Sequence, residues 1–267
     1  VGRQVKAKGP SAPEGRRHAG TIRSLWRWLG WHELSALVVF ALMALSLWAF
    51  VEVADEVTER ESRAIDTAIL LALRNPADAG DPLGPLWVEE IVRDFTALGS
   101  LGVLTFICLA IVGFFFLRRS FGMGLLLAAA LVGGGLLSAL LKIGFARPRP
   151  ELVSQFSYVV SFSFPSGHSL MAAVVYLTLG AMLVRIQPNR LLKGYILFLA
   201  LLLTLLIGVS RVYLGVHWPT DVLAGWFLGA AWALFCWLVA RGLQKRGKVE
   251  ESMPEDSASG RPHGGRS

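Results

Sequence analysis

The sequence predicts an all-α integral membrane protein: a bundle of six transmembrane helices, with a short amphipathic-helix cap between the first and second. Three observations carry this. The 267 residues are 54% hydrophobic and only 17% charged, against about 25% charged in an ordinary soluble domain. The mean hydropathy is +0.55. Six segments are long and apolar enough to cross a hydrocarbon core about 30 Å thick, which takes roughly 20 residues of helix. The remaining polar sequence is too short to cover six such helices, which sets aside a soluble helical protein.

Taken in order, residues 1–20 carry Gly, Pro and Arg without an apolar period and read as a flexible basic tail. Thr21–Trp31 places Trp26, Trp28 and Trp31 among Arg23 and Arg27, which suits a segment lying at the membrane interface. Residues 1–33 are therefore expected to precede the membrane domain, which is assigned to 34–240. Its spans are Leu34–Val53, Ala97–Leu117, Phe121–Leu141, Gly167–Val184, Leu191–Val209 and Val222–Ala240, with charges only near their ends.

Between the first two spans, Ala54–Thr96 is too polar to insert. Ile65, Ala68, Ile69 and Ala72 recur at helical spacing, as do Trp87, Ile91 and Phe95 beside Val88 and Val92. Asn75-Pro76 and the Gly80–Pro85 stretch separate them. Two short amphipathic helices capping one face of the bundle are expected. Residues 241–267 are basic, then rich in Ser, Gly and Pro, and read as a disordered tail. Cys108 and Cys236, the two cysteines, both lie in apolar runs, where a thiol behaves as a small hydrophobe. That excludes a disulfide scaffold and a Cys₂His₂ zinc site.

The net charge of +7 would suggest a nucleic-acid partner in a soluble protein, but its distribution argues otherwise. With the N-terminus inside, 18 of the 26 basic residues fall on the cytoplasmic side, and the Ala54–Thr96 loop opposite carries ten acids against four arginines. Basic residues mark the cytoplasmic face, so both termini are expected there. No signal-peptide cleavage pattern follows the first span, which is expected to stay in the membrane. The short loops point to a multi-pass protein of a bacterial inner (plasma) membrane.

The basic residues left outside are informative. Arg60, Arg63, Arg74 and Arg93 sit in the acidic loop. Lys142, Arg147, Arg149 and Arg211 lie at the outer ends of spans three and five, with only Glu151 and Asp221 near them in sequence. Cations gathered at a membrane boundary without counter-ions call for an anionic ligand. His168 and His217 fall at the outer ends of spans four and six, so two histidines converge with those cations on one face.

Pro165-Ser166-Gly167-His168 opens span four. Pro suits a helix start, Gly lets a ligand approach the backbone, and the free N–H groups there can hold phosphate. Alone, the tetrapeptide is equally a capped helix. His217-Trp218-Pro219-Thr220-Asp221 opens span six. A carboxylate four residues on can hold Nδ1–H and leave Nε2 as an oriented lone pair for a nucleophile or base; alternatively the Asp only complements the helix dipole.

Together these segments resemble the type 2 phosphatidic acid phosphatase superfamily. Lys142 through Arg149-Pro150 fits its Lys-x₆-Arg-Pro motif, Pro165–His168 its Pro-Ser-Gly-His motif, and Ser210-Arg211 through His217 to Asp221 its Ser-Arg-x₅-His-x₃-Asp motif, complete and in order. The resemblance implies a phosphatase needing no cofactor or metal. His217 would attack phosphorus to form a phosphohistidine, and Asp221 would orient it. His168 would protonate the leaving oxygen and then activate water. Lys142, Arg149, Arg211, Ser166 and the Gly167 N–H would hold the non-bridging oxygens. Arg147 lies in the variable stretch of the first motif, as a secondary phosphate or headgroup contact, and its loss is expected to be milder than that of either histidine.

The expected partner is a lipid phosphate within the membrane, with no nucleic acid. The terminal phosphate of undecaprenyl diphosphate, phosphatidylglycerol phosphate or phosphatidic acid is the candidate substrate, met at an extracytoplasmic site. Phe156, Tyr158, Phe162 and Phe164 would line a lipid entry or form an interfacial belt. The rival readings are a lipid phosphotransferase using the same phosphohistidine, an anionic-lipid transporter or flippase, and vanadate haloperoxidase chemistry. The transporter is disfavoured because its charges would be expected near the midplane of repeated halves. The haloperoxidase is disfavoured because that branch is soluble.

Overall fold

The computed structural model describes residues 31–151 and 162–245. The N-terminal tail, residues 21–30 of the interfacial segment, Phe156 and Tyr158, and residues 246–267 lie outside the described residues. The chain divides into two compact units, Val1–Val39 and Phe40–Ser267. Of the first, residues 31–39 are described, as the start of a helix.

Helix α1 runs Trp31–Glu59. It ends at Arg60, whose positive φ of 64° reverses the chain into α2, Arg63–Ala72. Next comes a departure from the all-helical expectation. Arg74–Asn75 (β1) and Asp78–Pro82 (β2) pair as a two-stranded antiparallel ribbon. Short side-chain bonds hold its turn: Asn75 Oδ1 accepts from Ala77 N–H at 3.1 Å, and Asp78 Oδ1 from Gly80 N–H at 2.8 Å.

Helix α3, Leu86–Ala97, is followed by α4, Leu101–Leu117. The apolar run at Ala97–Leu117 is thus interrupted at its start, where Ser100 caps α4 by accepting from Val103 N–H at 3.3 Å. The remaining helices are α5 (Phe121–Phe145), α6 (Gly167–Ile186), α7 (Arg190–Tyr213) and α8 (Pro219–Lys245). The last continues past Ala240, the expected edge of the membrane domain.

Among the described residues, five helices, α1, α5, α6, α7 and α8, are long and apolar enough to cross a membrane. Helix α4, at 17 residues, reaches that length only together with α3 across a 46° bend, giving six spans if the bent pair counts as one.

Helix α6 is the most enclosed, with every residue from Ser169 to Val175 buried. It packs chiefly against α7 and α8. Two glycines of α8 allow the close approach: a Cβ at Gly229 would lie 2.5 Å from the Leu170 carbonyl oxygen, and one at Gly225 2.8 Å from that of Ser166. By contrast, Phe106, Leu125, Ile143 and Leu191 are exposed, as side chains facing lipid would be.

Helices do occupy both amphipathic stretches of the 54–96 segment, but the first presents the opposite face from the one its pattern suggests. Ile65, Ala68, Ile69 and Ala72 are exposed, while Ser62, Asp66, Leu70 and Arg74 are buried. The reason is electrostatic and lies in the site.

Candidate active site

Three segments converge. The first leaves α5, whose last turn carries Lys142. Ala146, in the left-handed conformation at φ 46° and ψ 32°, ends the helix and turns the chain sharply into Arg147-Pro148-Arg149-Pro150. The second is the loop into α6. Phe164 anchors it, fully buried, with its ring 4.7 Å from that of Phe145 and 6.1 Å from that of Phe50. The third is the α7–α8 junction, from Arg211 to Asp221.

Hydrogen bonds fasten these segments to one another. Ser163 N–H donates to the Arg147 carbonyl at 2.8 Å, and the Ser163 hydroxyl donates to the carbonyls of Arg147 and Pro148 at 3.2 and 3.1 Å. Ser166 N–H donates to the Asp221 carbonyl at 2.9 Å. All eight residues singled out from the sequence therefore lie on this one assembly of helix ends.

His217 is 1% exposed. Its Nδ1 lies 3.3 Å from Asp221 Oδ2, and its Nε2 lies 3.3 Å from Arg149 Nη1. A guanidinium has only donors, so Nε2 is the acceptor and Nδ1–H donates to Asp221. Arg149 Nη1 also donates to the Val216 carbonyl at 2.8 Å. His168, at the first turn of α6, lies within electrostatic reach of Arg211, His217, Arg149 and Lys142. Lys142 Nζ donates to the Phe162 carbonyl at 2.7 Å, and its Cε sits 3.6 Å from where a Cβ on Gly167 would stand. The Ser166 hydroxyl oxygen is engaged inside α6, accepting from Ser169 N–H at 3.5 Å and its hydroxyl at 3.0 Å. Arg211 Nη1 donates to Thr96 Oγ1 at 3.0 Å, while its buried Nε has no hydrogen-bond partner among the described residues.

Arg147 is where the structure departs most from the sequence reading. Its Nη1 bonds Asp221 Oδ1 at 2.6 Å and Thr220 Oγ1 at 2.8 Å, and its Nη2 bonds Asp66 Oδ2 at 2.7 Å. The guanidinium also lies 5.5 Å from the centre of the Trp218 ring, a cation–π distance. Asp66, fully buried, accepts from Thr220 N–H at 3.0 Å and from the Thr220 hydroxyl at 2.6 Å. Arg147 is thus a bridge between two buried carboxylates, which explains why α2 turns its polar face inward. Neither Asp66 nor Thr220 was among the residues singled out. Beside the bridge, a cavity of about 420 Å³ opens between Val57, Arg60, Arg63, Phe145 and Trp218.

The electrostatics favour a neutral His217. Burial, together with Arg211, Arg149 and Lys142, holds His217 well below its ordinary pKa. Burial also lowers Arg149, partly offset by Asp221. Among the described residues, no group of three or more His, Cys, Asp or Glu side chains is placed to hold a metal ion.

The PAP2 superfamily model matches residues 121–245. Phosphatidylglycerophosphatase B of Bacillus subtilis is 39% identical over 145 residues, covering 54% of this chain and 70% of that protein. The chain belongs to the PAP2 superfamily. A second relative, an undecaprenyl-diphosphatase of Sulfolobus acidocaldarius, is 31% identical over 44% of this chain and 55% of its own. The crystal structure of a transmembrane PAP2-type phosphatidylglycerolphosphate phosphatase from Bacillus subtilis superposes with a TM-score of 0.59 at 31% identity, covering 78% of this chain and 96% of that one. With its apolar helices, this PAP2 chain is a multi-pass membrane protein.

Proposed function

We propose that the protein is a membrane lipid phosphatase that releases the terminal phosphate of a lipid monophosphate or diphosphate through a phosphohistidine. The names of its relatives support the substrate class. The observation that carries the chemistry is the pair of contacts on His217: Asp221 holds Nδ1–H, which leaves the Nε2 lone pair directed at Arg149.

In the first step Nε2 attacks phosphorus, the P–N bond forms and the bond to the lipid oxygen breaks. His168 supplies the proton that this oxygen takes. Lys142, Arg149 and Arg211 take the non-bridging oxygens. The unpartnered Nε–H of Arg211 would gain a phosphate oxygen as its acceptor, which removes the penalty of a buried unsatisfied donor. In the second step His168 accepts a proton from water, whose oxygen attacks phosphorus. The P–N bond breaks, and inorganic phosphate leaves. Fixed cations stabilise the developing charge, the dominant need in phosphoryl transfer. The Gly167 N–H, at the start of α6, adds a helix-end donor.

The charge asymmetry of the sequence supports a site on the extracytoplasmic side, with both termini cytoplasmic and the 54–96 segment capping the site. The test is phosphate release by purified protein from a panel of lipid monophosphates and diphosphates in detergent micelles, with and without a chelator. Free phosphate from at least one lipid, unaffected by chelation and abolished in His217→Ala, is expected. Phosphate found on a second lipid instead would mark a transferase, and a fully active His217→Ala would overturn the mechanism.

A further inference from the structure

Asp66 lies outside all three motifs, on a helix of the segment between the first two spans, yet its carboxylate is fully buried against the catalytic apparatus. We infer that Asp66 is a positioning residue for the reaction, acting through Arg147 and Thr220 to hold Asp221 in the orientation and charge state that His217 requires. This rests on the phosphatase function proposed above.

The geometry gives Asp66 three bonds, all to groups that bear on Asp221. Two come from Thr220, the residue immediately before it, through N–H at 3.0 Å and hydroxyl at 2.6 Å. The third comes from Arg147 at 2.7 Å. The Thr220 N–H is one of the donors at the start of α8 that no helical carbonyl can satisfy, so Asp66 caps α8 from another element. Asp221 divides its own carboxylate: Oδ1 receives Arg147 at 2.6 Å, whereas Oδ2 receives Trp218 N–H at 3.0 Å and faces His217 Nδ1 at 3.3 Å.

Arg147 is shared between two carboxylates, so it neutralises neither fully. Without the Asp66 charge, the guanidinium would rest on Asp221 alone and withdraw the electron density that favours an imidazolium or phosphohistidine at His217. The start of α8 would also lose its anchor, and a small displacement at a reacting centre carries a large rate penalty. Ile65 and Ile69 of α2 face outward, while its buried face carries Asp66 beside Ser62 and Leu70, with Arg74 just beyond its end; Leu70 packs with Val212 and Val222.

The test measures kcat, KM and the pH dependence of kcat/KM for phosphate release, between about pH 5 and 9, for wild type, Asp66→Asn, Thr220→Val and the double variant. The folded fraction of each is taken from size-exclusion profiles. His217 faces Asp221 and Arg149, with Arg211, Lys142 and His168 beyond, and none of these residues is changed in any variant. Expected is a kcat for Asp66→Asn about 10- to 100-fold lower, a KM within about threefold of wild type, and an acid limb displaced to lower pH. Thr220→Val should lose about 3- to 10-fold, and the double variant should be no worse than Asp66→Asn, because both act through one contact set. A loss that merely follows the folded fraction, with an unmoved pH profile, would overturn the assignment, as would full additivity. Should Asp66→Asn not fold, Thr220→Val decides alone by the same pH criterion. A wild-type protein that hydrolyses no lipid phosphate would refute the phosphatase function; an active wild type with an unshifted Asp66→Asn refutes only the positioning role.

Discussion

Arg149 Nη1 stands 3.3 Å from His217 Nε2, on the lone pair that the proposed mechanism directs at phosphorus. Under the mechanism proposed above, a phosphate bound at His217 would take over this hydrogen bond from the imidazole. A planar guanidinium can make that exchange while another N–H stays on the Val216 carbonyl, whereas an ammonium is a point charge without that fork. Arg149→Lys should accordingly lower kcat/KM by about 10- to 100-fold despite the conserved charge. Steady-state phosphate release measures it, and a Lys variant within about threefold of wild type would contradict the transfer of donors.

The buried His217 has a second consequence, in pH. Its pKa in the folded state is depressed by burial and by three cations, while in the unfolded chain it returns to about 6.5. The unfolded state thus binds the proton more readily. The His217 contribution to stability is fully present above about pH 6.5 and is lost as pH falls toward the folded value. His217→Gln, which has nothing to titrate, should show a shallower fall in unfolding temperature between about pH 6.5 and 5 than wild type. In kcat/KM, the wild-type acid limb belonging to His217 should lie below its ordinary value.

Arg147 is expected to matter more than its place in a variable stretch suggested. Removing it leaves Asp66 and Asp221 buried and facing one another without a cation. Breaking a buried pair of this kind typically costs about 3–5 kcal/mol, and the Arg147 side chain is only 12% exposed. Arg147→Ala should lower the thermal unfolding midpoint markedly and cut phosphate release by at least about 100-fold. Retention of both properties would sever the bridge from catalysis.

The glycine contact between α6 and α8 gives a steric prediction. A methyl at Gly225 would meet the Ser166 carbonyl oxygen at 2.8 Å and Ser169 Cβ at 2.9 Å, neither of which can swing aside. Gly225→Ala should destabilise by about 1–3 kcal/mol and reduce activity by pushing the His168-bearing turn away from His217. Gly102→Ala, with nothing within 4 Å of its Cβ, is the matched control and should leave both unchanged.

The residues proposed for the site could be named from the sequence because the phosphoryl chemistry proposed for them needs particular side-chain types, and those types recur here at fixed intervals along the chain. Lys142, Arg149, His168, Arg211, His217 and Asp221 could be named without knowing how the helices pack. Asp66 could not. It is one of ten acids in its loop, and its partner Arg147 is 81 residues away, so nothing local distinguishes it. The apolar stripe of α2 was a true helix signal but misdirected as to face, because in a membrane protein an amphipathic helix can turn its apolar side toward lipid. An acid on the polar face of such a helix was the available clue. The break before α4 was also foreshadowed, by Gly99-Ser100, a punctuation the surrounding hydrophobicity masked.

The contact between Asp66 and Arg147 also bears on how the enzyme can be dissected. The family match covers residues 121–245 and contains every motif residue, yet a fragment cut to those limits would strand Arg147 and Asp221 without the second carboxylate and leave the first N–H groups of α8 unanchored. If Asp66 positions the site as inferred above, the smallest active unit extends upstream of the family core to include α2, and truncation at the motif boundaries should yield a protein with a complete signature and a slack centre.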